Sequence, residues 1–449
     1  MHRTSAPEQE RFKVHRALKL GTFHIGSSMA DLIASAVWNR VLIADLHVAA
    51  LPVALLSALR YLLAPLTLWA GYRSDTRPLA GSRRIAYIWL GRGLMLASLP
   101  LLPFATTLLA QNTASPLGWG LGLLSSLIYG AGTLISGAPF LALVHDSAPY
   151  ARRGQAISIV QFMLVVSFAF VPAIYARLMP TYDPALFRRL ITIGMAGAAF
   201  FWIFSVLGEE RQSSPPPAPA ARPPLRATFR QLWADTRTRR YGLFLGASGF
   251  FAFMQDAVLE PFGGDVFRLG AGATTRFNSY WGTGVLIGML ATYAATRHRR
   301  PDQQAGTTAW GLGLLGLPLA LLGVVSLLRA LPLVMPVLVC FGLGFGVFTV
   351  GGVSLLMAMN SEEQAGSYLA LWSVVQLVAR GAGIAAGGAI RDGALAVTGQ
   401  FHLAYATVFF VEALGLFLAI ILLRRVDVAG FAAHRAEEPS TPLFTPAVE

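Results

Sequence analysis

Apolar runs of about 20 residues recur from one end of this chain to the other, each long enough to cross a hydrocarbon layer roughly 30 Å thick. No ordinary core can hide so much apolar surface from water: 55% of the 449 residues are hydrophobic and only 13% charged, where soluble domains carry roughly 25% charged residues. The runs are expected to form helices near 19–43, 49–72, 85–109, 117–144, 155–179 and 187–208, then 241–262, 275–296, 307–328, 332–359, 367–390 and 403–423. The fold class is therefore an all-α membrane protein of twelve transmembrane helices, embedded in a lipid bilayer.

A formal net charge of +13 in a soluble chain would suggest nucleic acid. Here the arginines crowd into short connections between apolar runs, as they do in cytoplasmic loops, so no nucleic-acid partner is expected. One set of loops holds Arg73, Arg77, Arg83 and Arg84, then Arg152 and Arg153, then "RHRRP" at 297–301, then Arg424 and Arg425. The alternate loops, such as "QNTASP" at 111–116, are nearly uncharged, although Arg188 and Arg189 break the pattern. Both termini are thus expected in the cytoplasm. The polar, basic amino-terminal stretch does not read as a cleavable signal peptide. The one cysteine, Cys340, excludes an intramolecular disulfide and a multi-cysteine metal site.

The chain divides into an amino-terminal segment 1–18, a six-helix bundle 19–208, a linker 209–240, a second bundle 241–424 and a tail 425–449. The centre of the linker, "SSPPPAPAARPP", is too proline-rich for a helix and is expected to be extended. The halves echo each other. "GSSMADLIASAVWNR" (26–40) aligns without a gap on "ASGFFAFMQDAVLEP" (247–261), matching Ser27 with Ser248 and Ala36-Val37 with Ala257-Val258; "SIVQ" (158–161) returns as "SVVQ" (373–376). Two six-helix pseudo-repeats joined by a linker are the layout of parallel-repeat transporters, whose binding sites lie between the halves near the midplane.

The loop "GYRSDTRPLAGSRR" (71–84) resembles the signature loop of the major facilitator superfamily, with Gly71, Asp75, Gly81, Arg83 and Arg84 at the matching positions and extra residues between Asp75 and Gly81. The resemblance implies a gating loop, in which Asp75 faces the amino-terminal end of helix 11, where the helix dipole favours a carboxylate. The alternative is a basic loop with turn-forming Gly and Pro. In that architecture helices 1, 4, 7 and 10 line a central cavity.

At 100° per residue His24, Ser27, Ser28, Asp31, Ser35, Trp38 and Asn39 fall within about 60° of one line along helix 1. Such a stripe must face protein or water. On helix 7, Asp256 aligns with Ser35 and Glu260 with Asn39; an i,i+4 pair, they are expected to share a face and a polar cavity with the stripe. Arg60, in mid-helix 2, needs an acidic partner, for which Asp31 is the candidate, or backbone carbonyls. Arg92 is expected to snorkel to the cytoplasmic end. Gln376 and Arg380 extend a ladder from Tyr368 and Trp372 on helix 11, beside a close-packing face of Gly383, Gly387 and Gly388. Glu412 stands isolated. No Ser-His-Asp order, HExxH, P-loop or dinucleotide fingerprint is present, so the chain is not expected to be an enzyme.

The words of the sequence go further. "LKLGTFHIGSSMADLIASAVWNRVLIADL" (18–46) and "ALRYLLAPLTLWAGYRSDTRPLAGSRRIAYIWLGR" (58–92) resemble the bacteriochlorophyll-delivery family, the PucC and LhaA relatives of phototrophic bacteria, within the major facilitator superfamily. The resemblance is strong in the amino-terminal half and looser beyond it. It implies a protein of the bacterial inner, intracytoplasmic membrane that handles bacteriochlorophyll while light-harvesting complexes are assembled, with antenna polypeptides and pigment-synthesis or insertion machinery as partners. The magnesium of such a pigment takes an axial ligand. His24 is the first candidate, with Asn39, Asp31, Asp256 and Glu260 as other ligands or partners of polar ring substituents, although a lone histidine is more often hydrogen-bonded than metal-bound. A proton-coupled exporter of an amphiphile and a non-transporting scaffold are the other readings.

Overall fold

The computed structural model describes residues 13–79, 82–149, 152–209, 236–299, 301–358 and 365–426. Most of the linker, the carboxy-terminal tail and Gly81 of the signature loop lie outside the described residues. Among the described residues twelve long helical segments follow in order. α1 spans 14–45, α2 is Ala50–Thr76, α3 Ile85–Gln111, α4 Pro116–Asp146, α5 Arg153–Leu178 and α6 Pro184–Val206. α7 spans 236–267, α8 is Ala271–Thr296, α9 Ala305–Leu328, α10 Val334–Ala358, α11 Ala365–Thr398 and α12 Phe401–Arg424. Among the described residues nine helices are long and apolar enough to cross a membrane, and a tenth if the bent pieces of α7 form one span. α1 is interrupted, and α8 carries Thr274, Thr275, Arg276 and Asn278, which makes those two less apolar.

Local chemistry sets the ends. Ser115 caps α4 by accepting from the Gly118 N–H, and Asp183 caps α6 by accepting from Ala185 and Leu186. Each cap satisfies a donor that the first turn leaves unpaired. α2 begins on Ala49, which has no side-chain acceptor. Two helices depart from regular geometry. α1 contains π-helical turns at Ile33–Val37 and Val41–Asp45. α7 runs as Thr236–Phe251, a 3-10 turn Met254–Ala257 and then Leu259–Phe267, with a 43° bend at the break. Irregular backbone of this kind persists at membrane depth only where it is buried in protein or lines a cavity.

The halves meet along three seams: α1 with α7, α2 with α11, and α5 with α8. Small residues bring the backbones together. A Cβ on Gly383 or Gly387 would strike the Phe250 or Met254 carbonyl of α7, and one on Gly388 would lie 2.7 Å from the Ala54 Cβ of α2. The glycine face foreseen on α11 is thus the packing surface for both α7 and α2. At the end of the bundle where α1 finishes and α2 begins, hydrogen bonds join the halves directly. Arg40 Nη2 donates to the Leu269 carbonyl (2.8 Å), the Gly272 N–H to the Pro180 carbonyl (2.9 Å), and the Ala50 and Leu51 N–H groups to the Asp392 carboxylate (2.9 and 2.7 Å).

Candidate functional site

Six charged or phenolic side chains converge between the halves. Tyr129 of α4 donates to Asp31 Oδ1 of α1 at 2.6 Å, and Arg60 of α2 approaches the same oxygen at 3.7 Å. From the other half, Arg380 of α11 pairs with Asp256 of α7 at 2.7 Å. Both guanidiniums stack on the Tyr61 ring, 4.8 Å from its centroid for Arg60 and 4.9 Å for Arg380; Arg380 also lies 3.9 Å from the Phe253 centroid. Such cation–π contacts gain strength away from water. The four ionic side chains keep between 19% and 32% of their surface accessible, so they border a space between the halves rather than a sealed core. The expected Arg60–Asp31 pair is present.

The polar stripe of α1 does not face that space as one line. Asp31 and Ser35 do border the central cluster, where Ser35 lines a recess with Ser57, Arg60, Ser125, Ser126 and Tyr129. The others turn to different neighbours. Ser27 accepts from the Trp202 indole of α6, Ser28 bonds Ser167 of α5 (2.7 Å), Trp38 donates to Thr106 of α3 (3.0 Å) and Asn39 accepts from Ser57 of α2 (3.0 Å). Ser28, Trp38 and Asn39 are buried at these contacts. The π-helical turn at Ile33–Val37 shifts the register of Trp38 and Asn39, whereas Ser27 and Ser28 precede it on regular helix and, about 100° apart at the two sides of a broad stripe, reach α6 and α5. The expected shared face of Asp256 and Glu260 is corrected too. The i,i+4 rule needs a continuous helix, and α7 breaks between them. Asp256 points to α11, whereas Glu260 is buried against α8, accepting from Asn278 (2.5 Å) and Thr275 (3.3 Å).

His24 lies edge-on to both Phe23 and Phe140, at ring-centroid distances of 5.9 and 5.4 Å, while those two rings stack on each other, and its Nε2 is buried without a hydrogen-bond partner. Arg92 does not snorkel. It is buried over the Phe23 and Trp202 rings at 4.3 and 4.8 Å, with Nη1 3.1 Å from Met95 Sδ. Glu412 is wholly buried in α12. Among the described residues no group of three or more His, Cys, Asp or Glu side chains could hold a metal ion.

In the signature loop Asp75 pairs with Arg84, which reaches on to Asp146 at the end of α4 (3.4 Å). Arg83 Nη2 donates to the Asp75 carbonyl (3.4 Å), and Gly71 faces the Ala138 methyl of α4. The described partners of Asp75 thus lie in its own half; the side chains at the start of α11, its expected target, lie outside the described residues. At the start of α1, Glu209 binds Arg16 (2.5 Å) and Lys19 (2.8 Å), which fastens that start to the end of α6. Burial pushes the Glu209 carboxyl up, but the hydrogen bonds and charges of Arg16 and Lys19 outweigh it and hold it below the usual range.

Tyr129 and Arg380 were missed as site residues. An arginine in an apolar helix was the signal for Arg380, as it was for Arg60. A tyrosine in a membrane helix carries no such signal.

An all-helical bundle of two packed halves with a charged cluster between them defines a polytopic membrane protein of the major facilitator fold. The solved structure of a POT family transporter in complex with 5-aminolevulinic acid superimposes with a TM-score of 0.69 at 12% identity, over 94% of this chain and 98% of that one. A bacterial homologue of the iron transporter ferroportin in its inward-facing state gives 0.67 at 13%, over 93% and 99%. The chain belongs to the PUCC protein family, whose sequence pattern matches residues 37–431. It is 30% identical to Protein PucC of Rhodovulum sulfidophilum over 85% of this chain and 86% of that one. It is 28% identical to a Rhodobacter capsulatus protein named bacteriochlorophyll synthase 44.5 kDa chain, over 93% and 96%.

Proposed function

We propose that this chain is a carrier or assembly factor that binds bacteriochlorophyll and delivers it to light-harvesting complexes, without catalysing a reaction. It would act in the bacterial inner or intracytoplasmic membrane, with both termini cytoplasmic and with antenna polypeptides and pigment-synthesis or insertion machinery as partners. Family membership and the pigment-related name of one relative support the cargo class. The observation that carries the reading is a crevice of about 440 Å³ at the seam of α2, α4 and α11. Leu55, Leu59, Leu62, Trp119, Leu123 and Ala385 line it, and Leu56 alone is shared with the polar recess beside Arg60. A flat, mostly apolar molecule with one polar edge can enter such a crevice sideways from lipid and bring that edge to the recess. The unpartnered His24 Nε2 has the chemistry of an axial ligand, but it packs on Phe140, about 25 Å along α4 from the crevice residue Leu123, and does not reach a pigment seated there.

Purification in mild detergent, followed by absorption spectroscopy before and after adding bacteriochlorophyll, tests the reading. A protein that is colourless as isolated and takes up no pigment overturns it. A second reading, a proton-coupled exporter of an amphiphile, is favoured by Asp31 and Asp256 bordering one space from opposite halves. Flux in proteoliposomes that ignores an imposed pH gradient excludes it.

A further inference from the structure

The apolar crevice and the polar recess share a narrow border. On α2, Pro52, Leu55 and Leu59 line the crevice, Ser57 and Arg60 line the recess, and buried Leu56 lines both. On α4, Trp119 and Leu123 line the crevice, and Ser125 and Tyr129 line the recess. At about 100° per residue along this helix, Ser126 falls between those two faces, and it too borders the recess. The border is thus Leu56 on one helix and Ser126 on the other. Just beyond it the helices touch: a Cβ on Gly130 would lie 2.9 Å from the Arg60 Cα.

The hydroxyl protons of the recess are committed, with one exception. Ser35 donates to the Asp31 carbonyl (2.6 Å), Ser57 to Asn39 Oδ1 (3.0 Å), Ser125 to the Ser98 carbonyl (2.9 Å) and Tyr129 to Asp31 Oδ1 (2.6 Å). Ser126 has no hydrogen-bond partner among the described residues. Arg60 adds N–H donors that lack an acceptor: its Nε is buried and unpartnered, and Asp31 Oδ1 lies 3.7 Å from Nη1, beyond hydrogen-bond length. The recess measures about 20 Å³, enough for one water-sized group. It lacks one acceptor atom and has room for one. A phosphate, or both oxygens of a carboxylate, would not fit. The oxygen of a neutral carbonyl fits and carries no charge to strip of water.

We propose that Ser126, with Arg60, selects the cargo by donating to one neutral carbonyl oxygen on the edge of a flat apolar molecule lying in the crevice. The inference rests on the pigment reading above and narrows it: the polar edge that reaches the recess is a ring carbonyl of the esterified pigment. The oxygen enters past Leu56, whose side chain has to turn aside.

The test uses the full chain in nanodiscs with bacteriochlorophyll, and with fluorenone against fluorene, a planar ketone and its oxygen-free hydrocarbon. Relative to their partition into empty nanodiscs, fluorenone should bind about tenfold more tightly than fluorene, through hydrogen bonds from one hydroxyl and one guanidinium. Ser126→Ala should cut that preference about fivefold, and Ser126→Thr, which keeps the hydroxyl, should retain it. Resonance Raman spectra of bound pigment should show a ring-carbonyl stretch lowered by hydrogen bonding, and Ser126→Ala should return it to higher frequency. The wild-type comparison needs no variant to fold. Ser126-dependent preference for fluorenone with no pigment bound supports the carbonyl site and removes the pigment reading. Pigment bound with the same stretch and affinity in wild type and Ser126→Ala overturns the site and leaves the pigment reading standing. No preference for fluorenone and no lowered stretch would mean that water alone fills the recess, which overturns the proposal.

Discussion

Asp392 offers a direct test of how the two halves are held shut at the end where α2 begins. α2 starts on Ala49, which cannot cap its own helix. The missing acceptor comes from the other half: the Asp392 carboxylate of α11 takes the Ala50 and Leu51 N–H groups at 2.9 and 2.7 Å, and Arg391 Nη1 holds it at 2.9 Å. A helix N-cap contributes about 1 kcal/mol, and a carboxylate at a helix amino terminus adds about 0.3–1 kcal/mol. Replacing Asp392 by Ala therefore weakens the closed end by about 2 kcal/mol, which is roughly a thirtyfold shift toward separation of the halves. The Arg40–Leu269 and Gly272–Pro180 bonds remain, so separation should be partial. With Cys340→Ser as background, spin labels on Thr113→Cys and Val397→Cys, both exposed at this end, report the distance by double electron–electron resonance. Asp392→Ala should add a longer distance to the distribution, and Asp392→Asn, whose amide oxygen still accepts, should add less of it. An unchanged distribution in Asp392→Ala, with only a lower melting temperature, would show that the cap stabilises α2 and takes no part in closure.

Removing Asp31 by Asn should destabilise the fold by about 1–3 kcal/mol, because Arg60 loses its counter-charge in a partly accessible site; thermal unfolding in detergent measures it, and a neutral result refutes the pairing. Gly388→Ala would place a methyl 2.7 Å from the Ala54 Cβ and 2.9 Å from the Ala50 carbonyl, for an overpacking loss of about 1–3 kcal/mol read by the same melt. Glu209 predicts a pH dependence. Its depressed pKa contributes stability that is full above the unfolded value of about 4.3 and is lost as pH falls through the lower folded value. Glu209→Gln should therefore melt lower than wild type at pH 7, and the gap should close on acidification below pH 4; a gap that stays constant contradicts the assignment. His24→Leu should leave pigment binding and its absorption unchanged, because His24 packs on Phe140 about 25 Å along α4 from the crevice; a shifted spectrum would place the pigment beside His24 instead.

Much of the bundle was legible beforehand because apolar length is a one-dimensional property. The expected run at 187–208 is the helix Pro184–Val206, and that at 307–328 is Ala305–Leu328. Charge in an apolar helix was equally readable: Arg60 demanded a partner, and Asp31 supplies it. Errors came where a position along a helix was converted into a direction. Ser28 and Trp38 share Asp31's calculated face but bond α5 and α3. Arg92, close to a helix end in sequence, turns inward over aromatic rings.

The sequence by itself determined a membrane-spanning chain of two echoing halves, because lipid tests only the length and polarity of each segment. It also pointed to the family through words such as "WNRV" and the loop at 71–84. Only the tertiary structure decided which charges face each other. The π-helical turns of α1 and the break in α7 rotate side chains away from the regular register, and packing against neighbouring helices selects those irregular turns. The same holds for the Asp392 cap and the shared Tyr61 ring: their partners are hundreds of residues apart in the chain, and only the docking of one half on the other brings them within bonding distance.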